Sequence, residues 1–126
     1  MLIGGVDAVL VRAPSLDEGL AFYRDALGHA LLWRTADAAG LAMGDGGVEL
    51  VLATGQRPGS DLLVESIEEA MRTFEVSGGS VESGQFEIPV GRGVVVADPF
   101  GNKLVLLELS KGSYVTDDEG NVTGVS

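Results

Sequence analysis

Apolar residues recur at helical spacing in two stretches of the chain. In the first, Leu16, Leu20, Tyr23 and Leu27 form a stripe behind Ser15, with Glu18 three residues after the serine and Gly28 directly past the last apolar position. A serine that caps the first turn, a glutamate that answers it and a glycine that stops the coil predict an amphipathic helix between Ser15 and Gly28. The same grammar returns at Ser66 and Glu69, where Ile67, Met71 and Phe74 supply the stripe and Gly78 with Gly79 end it.

Around these helices the pattern changes to short β-prone runs. Residues 6–12 lead into the first helix, and 30–35, 40–43 and 48–53 follow it, with Gly44-Asp45-Gly46-Gly47 as a turn. Residues 62–65 lead more briefly into the second helix; 80–82, a poorly defined piece at 86–90, 94–97 and 103–109 follow, with Asp98-Pro99-Phe100-Gly101-Asn102 as the turn. Superposing the final hairpins sets residues 48–52 opposite 104–108, so the chain reads as βαβββ written twice. A ferredoxin-like domain is the competing reading, and it does not explain two helices each followed by three strands. The expected organisation is one α+β domain over 1–110, with modules at about 1–55 and 58–110. A polar tail over 111–126 is expected to be a frayed terminus or a small hairpin turning at 116–121. Its acidic cluster lacks the alternating ligands and closing glutamate of an EF-hand loop.

Composition narrows the chemistry. A chain of 126 residues, 45% hydrophobic, suffices for one core and requires no second domain. Its apolar runs fall far short of a membrane span and its N-terminus lacks the basic region of a secretory signal, so the expectation is a soluble cytoplasmic protein. The absence of cysteine excludes disulfides, thiolate metal sites and cysteine nucleophiles. With 19 acidic against 8 basic residues the formal charge of -11 repels phosphate backbones and anionic membranes, so neither nucleic acid nor a membrane is an expected partner. That charge suits a cationic ligand, although acidity kept for solubility is the simpler explanation.

Two stretches, VDAVLVRAPSLDEGLAFYRDALG over 6–28 and GRGVVVADPFGNKLVLLEL over 91–109, resemble characteristic parts of the vicinal oxygen chelate superfamily: glyoxalase I, extradiol dioxygenases, fosfomycin-modifying enzymes and bleomycin-binding proteins. The resemblance implies a glyoxalase-like cup, in which paired modules enclose a pocket whose divalent metal is held by His and Glu from the first and last strands of each module. Aligned on those positions, this chain carries Ala8, Glu49, Gly59 and Val105. Only Glu49 offers a donor, so no metal and no other cofactor is expected. A two-residue change of register would bring Asp61 into the third place. Glu108 cannot replace the fourth ligand, because it lies an odd number of residues from Val105 and faces the other side of its strand. His29, the sole histidine, falls just past Gly28 and reads as a surface residue.

Strand parity within that resemblance puts Ala8 with Arg12, Glu49 with Val51, and Val105 with Leu107 on the pocket face. A carboxylate there needs a partner, and an ion pair of Glu49 with Arg12 or Arg92 is expected ahead of ligand contact. Trp33 reads equally as an aromatic pocket wall or as a core or dimer anchor, and Arg92 as a rim contact or, more simply, a loop charge. The functional expectation is a metal-free small-molecule binder, with Glu49, Trp33, Arg12, Arg92, Ala8 and Val105 as ligand-binding candidates and no catalytic residue assigned. The alternative is a metal-dependent lyase or dioxygenase whose site is displaced to Glu49 and Asp61. Paired half-cups imply a homodimer.

Overall fold

The computed structural model describes residues 1–44, 46–55 and 59–126. Asp45 of the expected glycine-rich turn and the expected junction between modules at 56–58 lie outside the described residues. Strand β1 (Gly5–Arg12) leads into helix α1 (Leu16–Leu20), which continues as a π-type turn over Ala21–Ala26. Strands β2 (Leu31–Arg34), β3 (Ala38–Ala42) and β4 (Glu49–Ala53) complete the first module. The second comprises β5 (Ser60–Leu63), α2 (Ile67–Val76), β6 (Ser80–Val81), β7 (Phe86–Ile88), β8 (Gly91–Ala97) and β9 (Lys103–Glu108), and the tail adds β10 (Tyr114–Thr116) and β11 (Val122–Val125). No described helix is long and apolar enough to cross a membrane.

Both serine caps form as the sequence predicts: Ser15 Oγ accepts from the Glu18 amide and Ser66 Oγ from the Glu69 amide, each at 3.2 Å. Replacing Ser66 with Ala is expected to cost about 1 kcal/mol, read as a lower urea midpoint at unchanged slope. An unchanged midpoint would mean that the Glu108 carboxylate, which accepts from the Ile67 amide at 3.1 Å, holds that first turn unaided.

The strands join in the order β2-β3-β4-β1-β5-β9-β8-β6, with β7 also on β8. β1 runs parallel to β4 of its own module and antiparallel to β5 of the other, so the two half-sheets meet within one chain at their first strands. Each half buries its outer face under its own helix. Leu16 and Leu20 pack on Leu41, Leu50 and Leu52, while Ile67 and Ala70 pack on Val94, Val96 and Leu106. Burying each leucine or isoleucine contributes about 1.5–3 kcal/mol. Because side chains alternate along a strand, filling the outer face with these residues turns Ala8, Glu49, Val51, Asp61 and Leu107 to the inner, concave face.

Strand β8 begins at Gly91, three residues before the expected 94, and β5 lies two residues upstream of the expected 62–65. Close approach permits the first of these extensions. A Cβ at Gly91 would sit 1.9 Å from the Glu108 carbonyl oxygen, so only glycine lets β8 pair with β9 this early.

Candidate functional site

A row of four residues crosses the join between the halves. Ala8 is in register with Glu49 on one side and Asp61 on the other, and Asp61 in turn with Val105. The third place of the row is therefore Asp61 and not Gly59. Gly59 lies beyond the strand end, where its carbonyl accepts from the Leu10 amide at 3.0 Å. Pairing of β5 with strands on both sides settles this register, and sequence alignment through a glycine-rich junction cannot.

Glu49 does not pair with an arginine. Its Oε1 accepts a 2.7 Å hydrogen bond from the indole Nε1 of Trp33, which reaches it from β2 across β3. The crossing is possible because Gly40, opposite Trp33 in the β2–β3 ladder, has no side chain: a Cβ there would lie 2.0 Å from Nε1. The second module repeats the device, with Phe86 opposite and laid over Gly93, where a Cβ would lie 2.4 Å from its ring. Glu49 is half-buried, and that desolvation raises its carboxyl above the ordinary value; the Trp33 hydrogen bond opposes the shift and the Asp7 charge adds to it.

Around this pair opens a cleft of about 480 Å³, within the size range of small-molecule sites. Asp7, Asp37, Glu49 and Asp61 contribute four carboxylates to its lining, and no lysine or arginine is among the described residues that line it. Ile88, Val90, Leu107 and Leu109 form the apolar side. Trp33 and Tyr114 form an aromatic corner, their ring centroids 5.0 Å apart and their planes tilted by 40°. An acid-rich region beside apolar and aromatic walls favours a cation that carries an apolar body.

Of the six candidate residues, Glu49, Trp33 and Ala8 line the cleft together. Val105 belongs to the row but is buried, only 1% exposed, and is not among the residues that line the cleft. Arg12 is exposed and in register with Ala53, four residues along β1 from Ala8 and hence about 13 Å away. Arg92 projects to the outer face that carries Val94 and Val96, where it pairs with Glu68 at 2.7 Å and Glu108 at 2.9 Å. The expected Glu49–arginine pair is thus replaced by the indole, because parity sends Arg92 outward and strand length separates Arg12. Glu108 lies on the face opposite Val105, and Arg92 followed by the Ile67 amide holds its carboxyl below the usual range. His29 is partly buried and its Nδ1 lies 2.9 Å from the Ala42 carbonyl, outside the cleft.

Sequence reasoning did not anticipate Asp7, Asp37 or Tyr114. A signal for the tail was present. Asp117-Asp118-Glu119-Gly120-Asn121 repeats the D-x-x-G-N pattern of Asp98 to Asn102. In both turns the aspartate Oδ1 accepts two backbone amides at 2.9 Å and the glycine takes a positive φ, 91° at Gly101 and 85° at Gly120. The tail hairpin was therefore legible; its place beside Trp33 was not.

Residues 5–106 match the model of the Glyoxalase/Bleomycin resistance protein/Dioxygenase superfamily. The chain belongs to that superfamily. Among solved structures it is similar to methylmalonyl-CoA epimerase from Mycobacterium tuberculosis, at 18% identity over 86% of this chain and 90% of that one, with a TM-score of 0.70. It is also similar to the Mn(II)-bound glyoxalase from Novosphingobium aromaticivorans, at 21% identity, 89% and 41% coverage and a TM-score of 0.62. Homoprotocatechuate 2,3-dioxygenase from Brevibacterium fuscum follows at 17% identity, 86% and 37% coverage and 0.61. At these identities the likeness is one of fold. No curated protein sequence matches the chain.

Within the superfamily fold, the central row is where the resemblance implies a divalent metal. The residues present do not fit one. Ala8 and Val105 end in methyl groups without lone pairs, so the row offers only the Glu49 and Asp61 carboxylates, and Glu49 already has one oxygen on the Trp33 indole. Among the described residues, no three His, Asp or Glu side chains are grouped to hold an ion.

Proposed function

We propose that this superfamily member binds, without a metal, a small organic cation with an aromatic or apolar body. The observation that carries the reading is the row itself. Two of its four places are alkyl, and of the two carboxylates that remain, Glu49 and Asp61, the first is engaged by the chain's only tryptophan beside an acid-rich, apolar-walled cleft. A cation in that cleft would exchange water for Glu49 and the ring of Trp33, while its body covers Ile88, Val90 and Leu107. Sequestration of a cationic antibiotic, as the bleomycin-resistance part of the family description suggests, is one form such binding would take.

Trp33 makes the test direct, because its emission reports on the site alone. Titration of the purified protein, in buffer containing a metal chelator, with cationic glycopeptide antibiotics and a panel of aromatic quaternary ammonium compounds is expected to give saturable heat at one ligand per chain and a matching change in Trp33 emission. Flat heats across the panel would exclude the reading, and binding that appears only after Mn(II) is supplied would replace it with a metal-dependent enzyme.

A further inference from the structure

We propose that the C-terminal hairpin is part of the ligand site, with Tyr114 setting the preference for an aromatic body; the inference rests on the cation-binding reading above. The superfamily match ends at residue 106, so β10 and β11 lie outside the matched residues. Their path connects the two halves of the cup. The chain leaving β9 is pinned to the second module at Lys111, whose amide donates to the Val90 carbonyl at 3.0 Å and whose ammonium pairs with Glu87. The hairpin then docks on the first module. The Arg34 amide of β2 donates to the Gly120 carbonyl at 2.8 Å, and Arg34 bridges to Asn121 in parallel sense.

Between these two anchorages Gly112, Ser113 and Tyr114 line the same cleft as Ala8 and Glu49. The Tyr114 ring reaches the Trp33 ring whose indole nitrogen is on Glu49, so the tail and the acid touch one and the same side chain. Docking also depends on glycine at position 120. Its φ of 85° and the 3.0 Å approach of Leu31 Cδ2 to a Cβ built there leave no room for a branched residue. A cation held at Glu49 would then meet Tyr114 with whatever group it carries toward the mouth. An aryl group gains a ring contact there that a methyl group does not.

The experiment uses the full chain, its Tyr114→Ala and Gly120→Val variants, and two probes of equal charge, benzyltrimethylammonium and tetramethylammonium, measured by calorimetry with melting temperature as the check on folding. Both variants are expected to lose affinity for the benzyl compound by about fivefold to tenfold while changing that for tetramethylammonium less than about twofold. Tyr114→Ala tests the ring and Gly120→Val the docking, so misfolding of one leaves the other informative. If the wild-type protein binds the benzyl compound and the two variants keep its preference between the probes, the inference is overturned and the cation-binding reading stands. If the wild-type protein binds neither probe, both fall together.

Discussion

Gly40→Ala is expected to destabilise the protein by about 1–3 kcal/mol and to shift Trp33 emission to longer wavelength. A Cβ at this position would lie 2.0, 2.4 and 2.7 Å from three atoms of the indole, well inside contact distance, so the ring must leave the strand. Its departure breaks the 2.7 Å bond to Glu49 and the contact with Tyr114 together. A desolvated carboxylate is then left without its donor, which adds to the packing cost. Gly124→Ala is the control: a Cβ there meets nothing within 4 Å, and neither stability nor emission is expected to change. Equal behaviour of the two variants in urea unfolding and fluorescence would mean that the indole does not rest on Gly40.

Glu49→Gln is expected to separate the role of the charge from that of the acceptor. The amide oxygen still receives the Trp33 indole, so the fold is retained, whereas an organic cation loses its charged partner. The loss of a hydrogen bond or close contact to a charged group, about 1.5–3 kcal/mol, corresponds to roughly a tenfold to hundredfold weaker affinity. The pH dependence has a definite sign. Because burial raises the Glu49 carboxyl above its ordinary value, the folded state holds this proton more tightly than the unfolded chain does. The resulting stability is fully present below the unfolded carboxylate pKa, about 4.3, and is lost as pH rises through the elevated one. At neutral pH the glutamine variant, which mimics the protonated form, should therefore melt higher than wild type, and the gap should close near pH 4. A variant that melts lower at neutral pH would show that the ionised carboxylate is stabilised by its surroundings. The wild-type protein should also lose affinity for cations as Glu49 protonates on acidification.

Much of the architecture was legible because local chemistry and global fold agree. Ser15 with Glu18 and Ser66 with Glu69 mark helix starts wherever they stand, and both caps form. The turn at Asp98 is written in the residues that make its hydrogen bonds. The same turn at Asp117 could have been read by the same rule. Parity along β9 placed Glu108 opposite Val105 without any coordinates, since alternation is a property of the extended backbone.

The site was less legible, because it is made by register and by side chains crossing between strands. No local rule tells whether Gly59 or Asp61 stands beside Ala8; the answer comes from β5 pairing simultaneously with β1 and β9. Charge complementarity suggested an arginine for Glu49, yet Arg92 belongs to the face packed under α2 and meets Glu68 and Glu108. The partner is instead an indole 16 residues away in sequence, admitted because position 40 is glycine. The sequence by itself determined the repeat, the caps, the turns and the two alkyl residues at places where the family resemblance implies metal ligands, since each depends on residue type and short-range backbone geometry. Only the tertiary structure decided which acids share the cleft and that the tail lies against Trp33, because those contacts join segments whose distance along the chain carries no information about their distance in space.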